Sequence, residues 1–310
     1  MKPFETYQYL AGEPMTDRDK TEVGSKFWNK GKWDNFVLPF LPENPKGQTF
    51  IDVGCNAGLF LHFAEELGFS HVLGIDSNNE AILRGIDWRD KNGKKYNLVL
   101  TDMEYCADDL PVSDYIVLAN VHYYFKIDKW LNFLDKIQYK TRNIIIVTTE
   151  KRPGNRCWAQ ADLTSIGDYF RNWEYQKMVG PLDPTGDPRP RKLWGIHFKS
   201  PFVTKVKIDN LDSGNHVQDN FYGELDEGKH FTETKYYKII RKYRLGDRKD
   251  WTEEKLERFF EDRVSLYNDI KNHGLRNPII VDNRNKILDG NHRCQMLKHL
   301  GHERVFVRYV

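Results

Sequence analysis

The sequence predicts an α/β protein: a mostly parallel sheet closed by an antiparallel hairpin, then a small α+β domain. Three observations carry this. Strand-like and helix-like stretches alternate up to about residue 150, a glycine-bearing turn (Gly54–Gly58) joins the first strand to the first helix, and the composition shifts after Ser200. A chain of 310 residues has room for about two domains, at ~100–200 residues each.

In chain order, Gln48–Val53 reads as a strand and Leu59–Leu67 as an apolar helix that Gly68 stops. Strand His71–Asp76, helix Asn79–Lys91, an Asn92-Gly93 turn and strand Tyr96–Thr101 follow. Strand Tyr115–Asn120, helix Ile127–Ile137 and the β-branched strand Asn143–Thr149 continue the pattern. Strands separated by helices imply crossover connections, hence a parallel sheet covered on both faces. Tyr175–Val179 and Leu193–Lys199 flank a Pro/Gly/Arg loop and read as the closing hairpin. Residues 201–230, rich in Asp, Asn and Gly, read as a linker between a first domain, 1–200, and a second, 231–310.

Composition excludes several classes. No apolar run approaches the ~18–20 residues of a membrane span, and the first residues lack the pattern of a secretory signal. Four cysteines are scattered without a C-x-x-C pair, which fits a reducing cytoplasm and neither a disulfide framework nor a zinc site; no metal is expected on this ground. A net charge of +2 does not by itself demand a nucleic-acid partner.

The chemistry concentrates after the first strand. Asp52 ends it, and Gly54, Asn56 and Gly58 form a turn in which backbone can approach a ligand in front of a helix N-terminus. A dinucleotide fingerprint needs a third glycine, where this chain has Asn56. Asp76 closes the second strand and Asp102 follows the third. Three acids at successive carboxyl ends would line the crevice where open α/β sheets bind ligands.

In their order and spacing these segments resemble the class I S-adenosylmethionine (SAM) methyltransferases, over about residues 15–200, with a Rossmann-like sheet. The resemblance implies SAM as cofactor. It implies that Asp52, Gly54, Asn56 and Gly58 hold the methionine portion, Asp76 the ribose, Asp102 the adenine amino group, and that Asn120 faces cofactor and acceptor. It also implies a helix or lid from Lys26 to Trp33 over that site. Amino-methylating DNA enzymes carry Pro-Pro after the fourth strand, and cytosine-C5 enzymes a Pro-Cys nucleophile; Asn120-Val121-His122-Tyr123 has neither proline, and no cysteine follows a proline. His122, expected at the lip of the site, has the ordinary pKa of a base for an acceptor hydroxyl, with packing beside the cofactor as its other reading. Lys151, Arg152, Arg189, Arg191 and Lys192 could clamp an anionic acceptor or be solvated loop charges.

In the second domain, Gly274-Leu275-Arg276-Asn277-Pro278, a strand Ile279–Asp282, then Ile287-Leu288-Asp289-Gly290-Asn291-His292-Arg293, a helix to Leu300 and a strand Arg304–Tyr309 can be read. A glycine turn opening a helix, with His and Arg in the first turn, makes an anion site. The segment resembles the ParB/sulfiredoxin superfamily over about the last eighty residues. That resemblance implies nucleotide phosphates on Gly290, Asn291, His292 and Arg293, ATP or ADP with Mg²⁺, and, in the kinase-like form, catalysis by Asp289. Asn291 stands where sulfiredoxins have their cysteine. Lys235–Arg244 mixes basic and aromatic residues, as a nucleic-acid surface or a half-buried helix would. The reading is a cytoplasmic SAM-dependent enzyme that O-methylates a saccharide, phosphorylated sugar or other small metabolite, with a nucleotide-binding and kinase-like second domain. The alternative is a nucleic-acid methyltransferase recruited by a ParB-like DNA-binding domain.

Overall fold

The computed structural model describes residues 30–103, 105–149, 163–182, 193–212, 220–247 and 251–310. The chain divides into two compact units, Met1–Pro201 and Phe202–Val310. Lys26 to Asn29, Lys151, Arg152, Arg189, Arg191 and Lys192 lie outside the described residues.

The first unit is built on seven strands: β1 (Thr49–Val53), β2 (His71–Asp76), β3 (Asn97–Leu100), β4 (Ser113–Ala119), β5 (Thr141–Thr149), β6 (Glu174–Leu182) and β7 (Leu193–Lys199). Their order is β3-β2-β1-β4-β5-β7-β6. The first five are parallel, whereas β7 runs antiparallel to both β5 and β6. Helices α1 (Leu59–Leu67) and α2 (Asn79–Lys91) connect β1 to β2 and β2 to β3. Helix α3 (Ile127–Ile137) lies between β4 and β5 in the chain, and α4 (Leu163–Tyr169) between β5 and β6. Because β2 lies on one side of β1 and β4 on the other, the crevice of this open sheet falls at the carboxyl ends of β1 and β4.

The apolar run of β5 shows why the sheet is buried on both faces. Ile144 and Ile146 belong to one core cluster, with Trp130, Phe133 and Phe170. Ile145 and Val147 belong to the other, with Phe36, Phe50 and Phe60. Side chains alternate along a strand, so a continuous β-branched run fits a strand covered twice. Burying one such side chain contributes about 1.5–3 kcal/mol. Helix α1 ends at Gly68, whose φ of 104° explains the glycine.

The second unit holds a four-stranded sheet in the order β10-β9-β11-β8, formed by β8 (Thr204–Lys207), β9 (Ile279–Val281), β10 (Ile287–Asp289) and β11 (Arg304–Tyr309). Only β9 and β11 pair in parallel. Its helices are α5 (Phe221–Asp226), α6 (Lys235–Asp247), α7 (Glu253–His273) and α8 (Asn291–His299).

The expectation of a linker over 201–230 is corrected here. Strand β8 pairs with β11 from Thr204 opposite Val307 to Lys207 opposite Arg304. Phe221 and Tyr222 are buried, and the Tyr222 ring stacks on Tyr267 at 4.9 Å. Asp226 accepts from Tyr267 Oη (2.7 Å) and Lys271 Nζ (2.8 Å) and meets His299 Nε2 at 3.0 Å, tying α5 to α7 and α8. A four-residue edge strand reading Thr-Lys-Val-Lys has no apolar run of its own; a partner about a hundred residues later supplies its order.

Among the described residues, no helix is long and apolar enough to cross a membrane.

Candidate functional site

The turn after β1 is shaped by backbone that few residues tolerate. Gly54 has φ 80° and Asn56 φ 52°. A Cβ on Gly54 would lie 2.9 Å from Val121 Cβ, so this position is closed by conformation and by space together. Gly54 N and Cys55 N both donate to Ile75 O, at 2.7 and 3.0 Å, which holds the turn over the end of β2. Asn56 Oδ1 accepts from Ala57 N at 2.9 Å, the local bond that lets asparagine stand in a left-handed turn. Gly58 then caps α1 with φ 87°. Gly85, inside α2, is a further requirement that sequence reading missed: a Cβ there would meet Ala57 O at 2.6 Å. Its signal was a glycine in the middle of an otherwise good helix.

Asp76 organises the crevice from β2. Its Oδ2 accepts from Asn56 N and its Oδ1 from Asn78 N, both at 2.8 Å. Each carboxylate oxygen keeps further acceptor capacity after one such bond. Asp52, one strand over, is 2 % exposed, and its buried Oδ1 accepts no hydrogen bond. Burial, and then the neighbouring Asp76 charge, push its pKa up to about 8, against the opposing pull of Lys32. An unsatisfied, buried carboxylate oxygen is costly to leave without a donor. Its presence here is a fitted place for one.

Asn120 follows β4 with φ 58° and donates its backbone N–H to Val147 O at 2.8 Å. With its amide oriented to satisfy both ends, Nδ2 donates to Val147 O and Oδ1 accepts from Lys32 Nζ, each at 3.1 Å. Lys32 is only 7 % exposed. Sequence reading passed over it as one of several basic residues in a lid, since nothing local marks a lysine that will be buried. Asp52, Gly54, Asn56, Gly58, Asp76 and Asn120 thus gather at the carboxyl ends of β1, β2 and β4. Asp102 is exposed just beyond β3, the strand next to β2.

His122 departs from its expected place. It is fully buried rather than at a lip, with Nε2 3.4 Å from Thr148 Oγ1 and its ring 5.9 Å from Trp130. Burial pushes its pKa down to about 4. The preceding Val121 lies against Gly54.

In the second unit, Gly290 caps α8 with φ 97°. Arg293 was expected to grip phosphate; instead its Nη1 donates to Asn277 O (2.8 Å) and Pro278 O (3.1 Å), and its Nη2 to Asp289 Oδ2 (2.6 Å). It ties the first turn of α8 back to the Asn277-Pro278 segment, and Asp289 joins that tie through Oδ2 alone, its side chain remaining exposed. The cation beside the turn is one that sequence reading missed. Arg263 of α7, 7 % exposed, meets His292 Nε2 through Nη2 and donates to Tyr236 Oη at 2.9 Å through Nη1. It lies 4.2 Å from the centre of the Phe259 ring. Its Nε, like Asn291 Oδ1, is buried without a hydrogen-bond partner. Among the described residues, no group of three or more His, Cys, Asp or Glu is placed to hold a metal ion.

A family model described as a methyltransferase domain matches residues 27–184, just over half of the chain. Curated proteins, of which two serve as examples, are similar over a shorter stretch. The ribosomal protein L11 methyltransferase of Photorhabdus laumondii subsp. laumondii is 37% identical over 81 residues, 25% of this chain and 26% of its own length. That of Xanthomonas axonopodis pv. citri is 32% identical over 77 residues, 24% of each chain. The chain therefore spans about a quarter of the length of these relatives. Among solved structures, a SAM-dependent methyltransferase from Aquifex aeolicus is 20% identical, covering 57% of this chain and 97% of its own, with a TM-score of 0.41. The magnesium protoporphyrin IX methyltransferase of Synechocystis PCC 6803, solved with bound SAM, is 13% identical over 61% of this chain and 87% of its own, with a TM-score of 0.44.

Proposed function

The chain belongs to the methyltransferase domain family, with S-adenosylmethionine as cofactor, and on that premise we propose that it methylates an oxygen of a small acceptor, a saccharide, phosphorylated sugar or similar metabolite. The observation that carries the cofactor site is the buried Asp52 with an unsatisfied Oδ1, one strand from Asp76. When bound, the cofactor supplies an electrophilic methyl group on its sulfonium sulfur. Asp76 accepts the ribose hydroxyls with the lone pairs left after Asn56 N and Asn78 N are satisfied. The Gly54–Gly58 turn admits the methionine chain against bare backbone. Asp102 takes the adenine amino group, and Asn120 borders the acceptor side.

His122 is not the base in this reading. A buried imidazole with its pKa near 4 is a weak acceptor at neutral pH. The acceptor class rests on the absence of the Pro-Pro and Pro-Cys signatures of the two DNA-methylating classes. A cytoplasmic setting fits the free, buried thiols of Cys55, Cys106 and Cys294.

Calorimetry with S-adenosylhomocysteine tests the cofactor site: the wild type binds and Asp76→Ala binds at least about ten-fold more weakly, the loss expected for a charge-assisted bond. Binding of NAD in place of both adenosyl ligands overturns the reading. Transfer of labelled methyl to phosphorylated sugars, compared with duplex DNA and RNA, tests the acceptor. Methylation of nucleic acid alone, with steep salt dependence, favours the recruited nucleic-acid enzyme instead.

A specific observation supports nucleotide binding by the second unit. Among the described residues the buried Arg263 has no carboxylate partner, and it meets His292 in the first turn of α8. A buried cation of this kind is offset by an anion, and phosphate suits both the guanidinium and a helix N-terminus. Phosphoryl transfer would fall to Asp289, whose Oδ2 pairs with Arg293 while its side chain stays exposed. In the intact 310-residue chain, Arg263→Met is expected to abolish binding of ADP with Mg²⁺; unchanged binding removes the assignment.

A further inference from the structure

We propose that the outward face of α6 binds single-stranded nucleic acid, with Lys235, Lys238 and Lys242 on its phosphates and Tyr243 stacked on a base. Such a strand is a ligand of the second unit, whichever molecule receives the methyl group.

Helix α6 has two unlike sides. Tyr236 and Tyr237 are buried, their rings 5.7 and 5.0 Å from that of Phe260 in α7, and the Phe231 ring lies 5.7 Å from Tyr237. Ile240 and Arg244 continue that side at helical spacing, both half-buried, and the Arg244 guanidinium lies 4.6 Å from the centre of the Trp251 ring. Arg241, on the flank, pairs with Glu253. What remains is exposed: Lys235, Lys238 and Lys242, with Ile239 (41 %) and Tyr243 (50 %). Among the described residues, none of the three ammonium groups is held in an ion pair or hydrogen bond. Glu224, whose charge reaches Lys238, is already engaged: it meets Lys229 Nζ at 3.0 Å and accepts from the backbone N–H of Lys235 at 2.9 Å. The face is therefore a row of uncompensated cations beside an exposed aromatic ring.

At 1.5 Å per residue the three lysines span about 10 Å of helix. That length covers about two or three phosphates of one strand, at ~3.4 Å or more each. Tyr243, one turn on from Ile239 and next to Lys242, offers a ring for a base, and only a strand outside a duplex has bases free to stack on it. A lipid surface is a poorer match. A helix that lies in a membrane presents its wide apolar face to the lipid, and the apolar face of α6 is the one packed on Phe231 and Phe260. An acidic peptide would meet the lysines but bring no base to Tyr243, so the tyrosine separates these two occupants.

The test is fluorescence anisotropy of the intact 310-residue chain with a labelled oligothymidylate of about twelve nucleotides, between about 50 and 200 mM salt. The logarithm of affinity should fall with that of salt at a slope of about −2, or ~0.7 for each of three phosphates. Lys238→Gln and Lys242→Gln should each bring the slope to about −1.4, whereas Lys242→Arg keeps the charge and the slope. Tyr243→Ala should weaken binding about five-fold or more at an unchanged slope, since stacking is not screened by salt. These side chains are exposed, and an unchanged thermal midpoint shows that each variant is folded. Wild-type slopes in both glutamine variants, or wild-type affinity in Tyr243→Ala, overturn the proposal. So does an absence of binding at about 50 mM salt. Equal or tighter binding of a poly-glutamate peptide, or of phosphatidylglycerol vesicles, also overturns it and gives the face to a protein or a lipid.

Discussion

The two glycine turns of this chain look alike in sequence and behave differently in space. Each follows a strand, puts a glycine at positive φ and opens a helix, at Gly54–Gly58 and at Gly290. At the first turn the polar groups remain available to a ligand: Asp52 Oδ1 has no donor, and each oxygen of Asp76 accepts a single backbone N–H. At the second, the two side chains with the most evident chemistry, Asp289 and Arg293, bond to each other, and Arg293 also bonds to Asn277 O and Pro278 O. A residue type at the right spacing is a candidate; whether its hydrogen-bonding capacity is already used decides what it can bind. By that measure Arg263, unmarked by any motif, has a stronger claim on an anion than Arg293.

The largest expected effect separates the turns by their need for glycine. Gly54→Val combines a left-handed φ, which costs about 1–2 kcal/mol for an L-residue, with a Cβ 2.9 Å from Val121 Cβ. It should lower unfolding stability by about 3 kcal/mol or more and abolish S-adenosylhomocysteine binding, read by urea titration and calorimetry. At Gly290 the nearest atoms to an added Cβ are those of the Arg293 guanidinium, at 3.0 Å and beyond, so Gly290→Ala should lose about 1–2 kcal/mol from the backbone and little more if that side chain shifts. Comparable losses at both turns would remove the steric part of the contrast.

Next come the charged groups. Asp76→Ala loses the charge-assisted bonds from Asn56 N and Asn78 N, so it should lower stability by about 2–3 kcal/mol and, in the fraction that remains folded, weaken cofactor binding at least about ten-fold. Arg293→Ala should cost its own unit a similar amount. Loss of two carbonyl bonds from a charged donor should destabilise by about 2–3 kcal/mol, with ADP affinity little changed in whatever fraction remains folded. An Arg293 variant that is fully stable but blind to nucleotide would return that residue to the phosphate site.

A pH dependence sharpens the first turn further. The Asp52 pKa is raised, by burial first and then by Asp76, with Lys32 opposing and the Cys55 thiol adjacent. Its protonated form is therefore favoured in the unliganded protein, and its contribution to folding is full below the ordinary carboxylate range and lost as pH rises through about 8. An α-ammonium ligand prefers the ionised form. Affinity for S-adenosylhomocysteine should thus rise from about pH 6 to about pH 8, by at most about ten-fold per unit, and then flatten. His122 and His197 shift in the opposite sense, both down to about 4 through burial. Their contribution is full above the ordinary histidine pKa and lost as pH falls through 4, so urea midpoints should drop on acidification over that range. A flat affinity profile would mean Asp52 does not meet an ammonium.

The smallest effect is expected on the surface. Arg241 pairs with Glu253 between α6 and α7, with both side chains about half exposed. Arg241→Ala should leave the thermal midpoint nearly unchanged, because exposed pairs are screened by water and salt. A clear drop would show that the basic face of α6 supports the fold more than its exposure suggests.

Much of the first unit was legible because its signals are local. The β-branched run Ile144–Val147 alternates between two cores, and Gly68 and Gly58 bound α1 from positions that geometry reserves for glycine. Asp52, Asp76 and Asn120 could be placed because strand ends in a parallel sheet converge on one edge. Other features depended on partners distant in sequence. Strand β8 exists by pairing with β11, and the segment around it read as a linker. His122 could be assigned to a strand end, but its burial beside Thr148 and Trp130 depended on neighbours distant in sequence.

The order of strands and helices in the first unit, the glycine turn and the candidate acids were determined by the sequence alone, because periodicity and backbone conformation act over a few residues. Tertiary structure decided which polar atoms stay unsatisfied. Lys32 is buried beside Asn120 on a segment whose Trp33 packs on Phe50, Phe60 and Phe63. Arg293 turns to Asn277 O and Pro278 O, which lie within its reach. Burial and pairing are properties of neighbours in space, and a side chain's chemistry is what those neighbours leave unused.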